Sequence, residues 1–235
     1  MYLRSYEFHY TMNYENPKLV EIVTSNLFVD VAHKMNTTDY LVNFSDQTES
    51  YCVGMVDMVN STKITHQMNH EKIAQYYSIF LNSMGKVLGR FGGVVIKNIG
   101  DSLLYYFPES SKPKRKYGFM SCIEANLAII EEYETLSNQL LEHALPSLDY
   151  RVSVDYGPCA LMKHNDSNMT DLIGPPVNMC SKINRSGAVN GIIIGSDFYE
   201  TVKHFDEYNF KRVGDFSIGL KHSYPLFSIS RKQGI

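Results

Sequence analysis

The first 46 residues carry one apolar stripe at helical spacing and differ from the rest of the chain. A polar, tyrosine-rich start precedes the segment 17–35. Apolar side chains recur in this segment at the spacing of one helix face: Leu19, Ile22, Val23, Leu27, Val31 and Met35. We therefore predict an N-terminal extension with one amphipathic helix over residues 1–46, and a single larger domain over residues 47–235.

Strand-like and helix-like segments alternate from Tyr51 onwards. The apolar run YCVGMV predicts a buried strand. The region 61–91 has apolar residues three or four positions apart and predicts one long helix, which the following pair of glycines ends. The next run, VVIKNIGDSLLYYF, predicts two strands joined by a tight turn.

A second helix and a second strand follow this hairpin. The helix is predicted over GFMSCIEANLAIIEEYETLSNQLLEHA, and the strand over DYRVSVDYG. Val152 and Val154 alternate with polar neighbours in that strand, which predicts one wet face and an exposed Asp155. The C-terminal segment YNFKRVGDFSIGLKHSYPLFSIS predicts further strands. The order strand, helix, hairpin, helix, strand predicts an α+β fold with a ferredoxin-like βαββαβ core and additional C-terminal strands.

Composition limits the compartments and the binding partners that we expect for this protein. The net charge of −3 gives no general attraction to nucleic acid or to anionic membranes. No apolar run approaches the roughly 20 residues that a membrane-spanning helix needs. The four cysteines form no C-x-x-C pair, which favours a reducing compartment over a disulfide scaffold. We expect a soluble cytoplasmic protein that binds no nucleic acid and does not insert into membranes.

Two aspartates stand where strands end or turn. Asp57 ends the first predicted strand, and Asp101 lies at the hairpin turn. If these strands are neighbours, both carboxylates emerge at one edge of the sheet, where their mutual repulsion favours a bound cation. Mg²⁺ is commonly held by one or two carboxylates together with substrate phosphates. Taken singly, each aspartate has a plainer explanation, as a helix cap or a turn residue.

The residues after Asp57 suit the phosphates of such a ligand. Asn60, Ser61 and Thr62 open the predicted long helix, whose free N–H groups and positive dipole end attract a polyphosphate. Together with the two carboxylates, these residues predict a site for a metal ion and a triphosphate.

Five segments, in order and at matching spacing, resemble one known family. They are GMVDMVNST, FGGVVIKNIGDSLLYYF, RVSVDYGP, DLIGPPVNMCSKINRSG and GIIIGSDFY. Over roughly its last four-fifths, the chain resembles the class III adenylate and guanylate cyclase catalytic domain. The resemblance implies that family's fold, and it implies that Asp57 and Asp101 hold Mg²⁺ or Mn²⁺, two ions per site.

The resemblance also assigns a pair of residues to the purine. Lys97 and Asp171 match the family's purine-reading lysine and aspartate. A lysine that donates to a ring nitrogen and an aspartate that accepts from an exocyclic amine suit adenine, whereas guanylate cyclases of the family use Glu and Cys. ATP is therefore the expected substrate. Outside this motif, we would expect a solvated strand lysine and a loop acid.

One departure from the family concerns the α-phosphate. Asn178 matches the asparagine that orients the ribose, but Lys182 stands where the family has an arginine that stabilises charge on the α-phosphate. An ammonium is a point charge, whereas a guanidinium offers a two-pronged fork. Because Arg185 lies three residues further on, we hypothesise that these three residues share one helix face and that Arg185 supplies the fork.

Two further positions concern the phosphates. Asn60 stands where the family usually has glycine, and asparagine is among the residues that best tolerate left-handed backbone angles. Lys221 matches the lysine that grips the terminal phosphates, although an ordinary edge-strand lysine is the alternative.

These matches imply an adenylate cyclase that converts ATP to 3′,5′-cyclic AMP and pyrophosphate at a homodimer interface. The metal aspartates of one subunit would face the purine residues of the other. The alternative is a nucleotide-binding regulator with little or no turnover, which Lys182 supports. A diguanylate cyclase or polymerase palm would share the strand plan, but the acidic pair expected on its hairpin is missing from NIGDS.

Overall fold

The structure is a computed structural model that describes residues 42–112, 116–164, 170–217 and 223–232. The described strands are β1 (Val42–Met58), β2 (Val94–Ile99), β3 (Ser102–Phe107), β4 (Tyr150–His164), β5 (Thr170–Ile173), β6 (Gly191–Gly195), β7 (Tyr208–Phe216) and β8 (Tyr224–Arg231). The described helices are α1 (Ser61–Thr65), α2 (His70–Arg90), α3 (Lys116–Glu131), α4 (Tyr133–Glu142), α5 (Pro175–Ile183) and α6 (Ser196–Val202).

The strands form one sheet of eight strands in the order β2-β3-β1-β4-β6-β8-β7, and β5 pairs with β4. β1 lies between β3 and β4 and is antiparallel to both, whereas β4 and β6 are parallel. The order of β1 to β4 in the sheet and the helices between them are those of a ferredoxin-like core. The predicted α+β fold with additional C-terminal strands is therefore confirmed.

The first strand is buried on both faces, which explains its continuous apolar run. Cys52 and Val56 face the large core that α2 and α3 build with the sheet. Val53 and Met55 point to the opposite face, where they pack with Cys180 of α5. Because successive side chains of a strand alternate between faces, one strand serves both layers.

The predicted long helix over 61–91 is wrong in one respect, because the structure divides it. α1 ends at Thr65, and α2 begins at His70 after the N-cap residue Asn69. The side chain of Asn69 accepts a hydrogen bond from the backbone N–H of Lys72 at 2.9 Å. This cap satisfies a donor that the start of a helix leaves free, so the chain starts a new helix here.

The expected exposure of Asp155 is also wrong. Only 2% of this residue is exposed, because elements from later in the chain cover its face of β4. The hydroxyl of Tyr224 donates to both carboxylate oxygens, at 3.0 and 2.8 Å, and the backbone N–H of Phe198 donates at 3.4 Å. Gly195 lies so close that a Cβ there would be 2.6 Å from Asp155 Oδ1.

Several sequence predictions fall outside the described residues or at their edge. The helix predicted within 17–35 and Lys221 lie outside them. β1 already begins at Val42, ahead of the predicted domain boundary at 46/47, and the two-domain division stays a prediction. All four cysteines are free and buried. Among the helices described, none is both long and apolar enough to cross a membrane.

Candidate active site

Asp57 and Asp101 meet because β1 and β3 pair in a fixed register. Asp57 lies near the end of β1, and its register partner on β3 is Ser102. Asp101 immediately precedes Ser102 in the tight connection from β2 to β3. Gly100, the other residue of this connection, has a φ of 63°, which glycine adopts without steric cost. The hairpin turn therefore delivers the second carboxylate beside the first.

A serine hydroxyl holds each carboxylate. Ser102 Oγ donates to Asp57 Oδ1, and Ser61 Oγ donates to Asp101 Oδ2. Ser61 is the first residue of α1 and is buried. The residue before it, Asn60, has φ 58° and ψ 25°. This is a left-handed backbone conformation. Asparagine tolerates it better than most residues, as predicted for this position, where the family usually has glycine.

The two aspartates line one polar cavity of about 610 Å³. Its described lining residues are Asp57, Met58, Val59, Asn60, Ser61, Thr62, Asp101, Arg151, Arg185 and Val189. The predicted metal and phosphate residues are thus brought together. Two of the lining residues are arginines, Arg151 and Arg185. The sequence predicts no site role for Arg151, which belongs to the segment RVSVDYGP. No local pattern in the sequence marks Arg151 for the cavity, because it arrives there through the register of β4 against β1, in which it opposes Asp57.

The electrostatics of the cavity suit a cation. Burial raises the pKa of Asp57, and the nearby charge of Asp101 adds to this effect. The hydrogen bond from Ser102 and the charges of Arg185 and Arg151 lower the pKa and partly oppose the rise. Two carboxylates that share a cavity repel each other until a positive charge lies between them. Their oxygens are the ligands that Mg²⁺ and Mn²⁺ prefer.

A second cluster joins the two residues matched to purine recognition. Lys97 on β2 forms an ion pair with Asp171 on β5, and 37% of the lysine side chain and 16% of the aspartate side chain are exposed. Asp171 Oδ1 also accepts the backbone N–H of Leu172 at 2.8 Å. The pair is therefore fixed by two contacts and remains partly exposed.

α5 carries the residues matched to the ribose and the α-phosphate. Gly174 precedes the helix, and two prolines begin it, as the sequence predicts. Asn178 and Lys182 are exposed on this helix. Arg185 is not on the helix, because α5 ends at Ile183 and a 3-10 turn over Asn184–Ser186 follows. The hypothesis that Arg185 extends the helix face of the other two residues therefore needs revision.

Within one chain, the two clusters do not share a cavity. The described residues that line the cavity of the aspartates include neither Lys97 nor Asp171, and neither Asn178 nor Lys182. The residues predicted to bind metal and phosphate and the residues matched to the purine therefore form two separate clusters within the described part of one chain.

Comparison with known proteins shows which family the chain belongs to. The family description "Adenylate and Guanylate cyclase catalytic domain" matches residues 44–230. An adenylate cyclase of Streptomyces coelicolor is 22% identical over 148 residues, which are 63% of this chain and 33% of that protein. The chain thus spans about a third of the length of the curated relative it matches.

Solved structures of the family share the fold. The adenylyl cyclase CyaB from P. aeruginosa superposes with a TM-score of 0.71 at 19% identity, over 80% of this chain and 96% of that chain. The guanylate cyclase domain of RhGC from Catenaria anguillulae, in complex with GTP, superposes with a TM-score of 0.67 at 18% identity, over 80% of this chain and 100% of that chain. At these identities the likeness concerns the fold alone. Because the family description extends from β1 into β8, the chain belongs to the family of adenylate and guanylate cyclase catalytic domains.

Proposed function

We propose that the protein is an adenylate cyclase, which converts ATP to 3′,5′-cyclic AMP and pyrophosphate in a homodimer with two composite sites. The observation that carries this proposal is the meeting of Asp57 and Asp101 in one cavity. The pairing of Lys97 with Asp171 elsewhere on the same chain supports it.

Asp57 and Asp101 would hold two Mg²⁺ or Mn²⁺ ions. Each serine hydroxyl engages one oxygen of its carboxylate, which leaves the second oxygen for a cation. Bound divalent ions supply activation of the 3′-hydroxyl and neutralise charge on the phosphates. Asn60, Ser61 and Thr62 line the same cavity, where their backbone N–H groups would meet the phosphates.

The reaction is a single displacement at phosphorus. The 3′ oxygen forms a bond to the α-phosphorus and gives up its proton to solvent, while the bond from the α-phosphorus to the bridging oxygen breaks. Pyrophosphate leaves with the electron pair. Asn178 would orient the ribose, Lys182 would place positive charge at the α-phosphate, and Lys221 would contact the terminal phosphates. Because an ammonium cannot bind two phosphate oxygens as a fork, we expect slow turnover.

Adenine is the purine that the Lys97–Asp171 pair suits. The ammonium of Lys97 has three N–H donors and spends one on Asp171, so it can also donate to a ring nitrogen of adenine. The carboxylate of Asp171 accepts from the exocyclic amine. Guanine has an acceptor, O6, at the position of that amine, and an aspartate would repel it.

A homodimer would complete each site. The purine pair and the metal cavity are separate within one chain, so a second copy must bring its purine residues to the aspartates of the first. A twofold arrangement then forms two equivalent sites, since each chain supplies both kinds of half-site.

The test incubates the purified chain of 235 residues with Mn²⁺ and either ATP or GTP, and measures cyclic nucleotides by mass spectrometry. We expect cyclic AMP from ATP and a loss of at least about 100-fold in Asp57→Asn, because the cation loses a charged ligand. The exposed acid Asp206 provides the matched control, Asp206→Asn, with wild-type activity. Cyclic GMP alone would contradict the purine assignment. Nucleotide binding without any product would favour the regulator instead.

A further inference from the structure

Arg185 lines the same cavity as both aspartates of its own chain. It belongs to the 3-10 turn Asn184–Ser186, and the cavity brings it together with Asp57 and Asp101. Lys182, in the last turn of α5, is not among the described residues that line this cavity. Of the two cations that the sequence predicts on one helix face, only Arg185 is therefore among the described residues that line this cavity.

Buried neighbours fix the turn that carries Arg185. Asn184 is 2% exposed, and its side-chain amide donates to the Arg151 carbonyl at 3.3 Å and to the Ser153 hydroxyl at 3.2 Å. After the turn, the Gly187 carbonyl accepts from Arg151 Nε at 3.0 Å. Arg185 is thus held at the cavity from both sides, while its own side chain stays exposed.

The guanidinium of Arg185 is available for a ligand. Within residues 42–112, 116–164, 170–217 and 223–232 it forms no ion pair with a carboxylate. Arg185 lines one cavity with the two carboxylates of Asp57 and Asp101, and its side chain is exposed there. A guanidinium fork binds two oxygens of a phosphate at once. A free fork beside a cation-binding pair of carboxylates suits an anion that carries divalent ions.

We propose that Arg185 binds the β- and γ-phosphates of the nucleoside triphosphate in the half-site of its own chain's aspartates. It would stabilise the pyrophosphate that leaves, and it would not replace the fork missing at Lys182 in the other half-site. This inference rests on the proposed function for its substrate. Arg185 would thus be a further phosphate-binding residue in the half-site that contains Asp57 and Asp101.

A binding measurement tests Arg185 without any reaction. Inorganic tripolyphosphate with Mn²⁺ is titrated into the chain of 235 residues, and its dissociation constant is measured by calorimetry. We expect Arg185→Gln to weaken binding by about tenfold or more, because a charge-assisted hydrogen bond is lost. The matched control is Arg90→Gln, which removes an exposed arginine from the last turn of α2. Equal affinities for wild type and Arg185→Gln would overturn the proposal.

Mixed dimers then decide which half-site Arg185 serves. One chain carries Asp57→Asn and Asp101→Asn, and the other carries Asn178→Ala and Lys182→Ala, with different affinity tags for purification. Only one composite site of this dimer keeps all its residues. Arg185→Gln should lower its turnover by about tenfold or more when placed on the chain that keeps the aspartates, and should not do so on the other chain.

The outcomes separate this proposal from the function it rests on. Loss of turnover that follows the chain without aspartates would overturn the proposal and return Arg185 to the side of Lys182. Mixed dimers without any cyclic nucleotide would contradict the proposed function. In that case, the tripolyphosphate titration still decides whether Arg185 binds phosphate.

Discussion

Lys97 donates a hydrogen bond to Asp171, although the two residues lie on different strands and 74 positions apart in the chain. The contact joins the edge strand β2 to the short strand β5, which itself pairs with β4. Each residue sets the direction of the other's charged group. A purine that binds there, as proposed, would meet a donor and an acceptor in a fixed relative position.

Exchanging this pair should change the preferred nucleotide. In Lys97→Glu with Asp171→Cys, a carboxylate can accept from the N–H groups of guanine, and the acidic acceptor facing O6 is gone. We expect the ratio of kcat/KM for ATP to that for GTP to fall by about 100-fold. The measurement compares both substrates at saturating Mn²⁺. An unchanged ratio would refute the role assigned to the pair.

Removing the hydroxyl that holds Asp57 should weaken the cation site. In Ser102→Ala the carboxylate loses the donor that fixes its orientation. We expect Mn²⁺ affinity to fall by about tenfold, since groups that orient metal ligands typically contribute this much. The titration of activity against Mn²⁺ measures it, with Ser78→Ala on an exposed position of α2 as control. Identical Mn²⁺ dependence in Ser102→Ala and wild type would count against a metal site at Asp57.

A methyl group at Gly174 should displace the start of α5. An added Cβ would lie 2.4 Å from the Pro158 carbonyl oxygen and 2.8 Å from Cys159 Sγ. The backbone would have to move, so we expect Gly174→Ala to lower the free energy of unfolding by about 1–3 kcal/mol. Urea denaturation measures this loss. Gly89→Ala on α2 is the control, because beyond the adjacent residues and the backbone of its own helix no atom lies within 4 Å of the added carbon, and alanine favours the helix.

The buried carboxyl of Asp155 should make stability depend on pH. Burial raises the pKa of Asp155 from 3.8 to about 7 in the folded protein, although hydrogen bonds from Tyr224 and from backbone N–H groups oppose the rise. Between these values the folded state keeps a proton that the unfolded state has lost. Stability contributed by the protonated form is therefore present at low pH and is lost as pH rises from about 4 to about 7.

The variant Asp155→Asn isolates this contribution. The loss between pH 4 and pH 7 amounts to at most about 4 kcal/mol, at about 1.4 kcal/mol for each unit of pKa. We expect the free energy of unfolding of the wild type, measured relative to Asp155→Asn in urea, to fall over this range and to level off above it. Parallel profiles for the two proteins would show that Asp155 is already ionised at pH 4.

The sequence predicts the core of the fold because local signals agree there. Val53 and Val56 on β1 belong to an apolar run that needs two covered faces, and Gly100 marks the turn that brings Asp101 back to the sheet. Helix periodicity predicts the face of α2, where Phe80 and Met84 are fully buried. Such patterns depend on neighbours within a few residues, which a sequence contains.

The details that the sequence misses depend on contacts between distant segments. The alternation of β4 indicates that Asp155 leaves the main core, but only the position of Tyr224 shows that a second layer covers it. Arg151 enters the cavity through the register of β4 against β1. Arg185 enters it because the chain leaves α5 through a short turn. None of these three facts has a local signature.

The separation of the purine pair from the metal cavity within one chain has a consequence for signalling. On the proposed arrangement an isolated subunit is inert, so output per molecule rises with concentration until self-association saturates. Dilution would separate the two copies and stop catalysis without unfolding either of them. A signal could rotate the two copies slightly against each other or change their local concentration. It would then change the rate of cyclic AMP production without any change in the residues that contact the nucleotide.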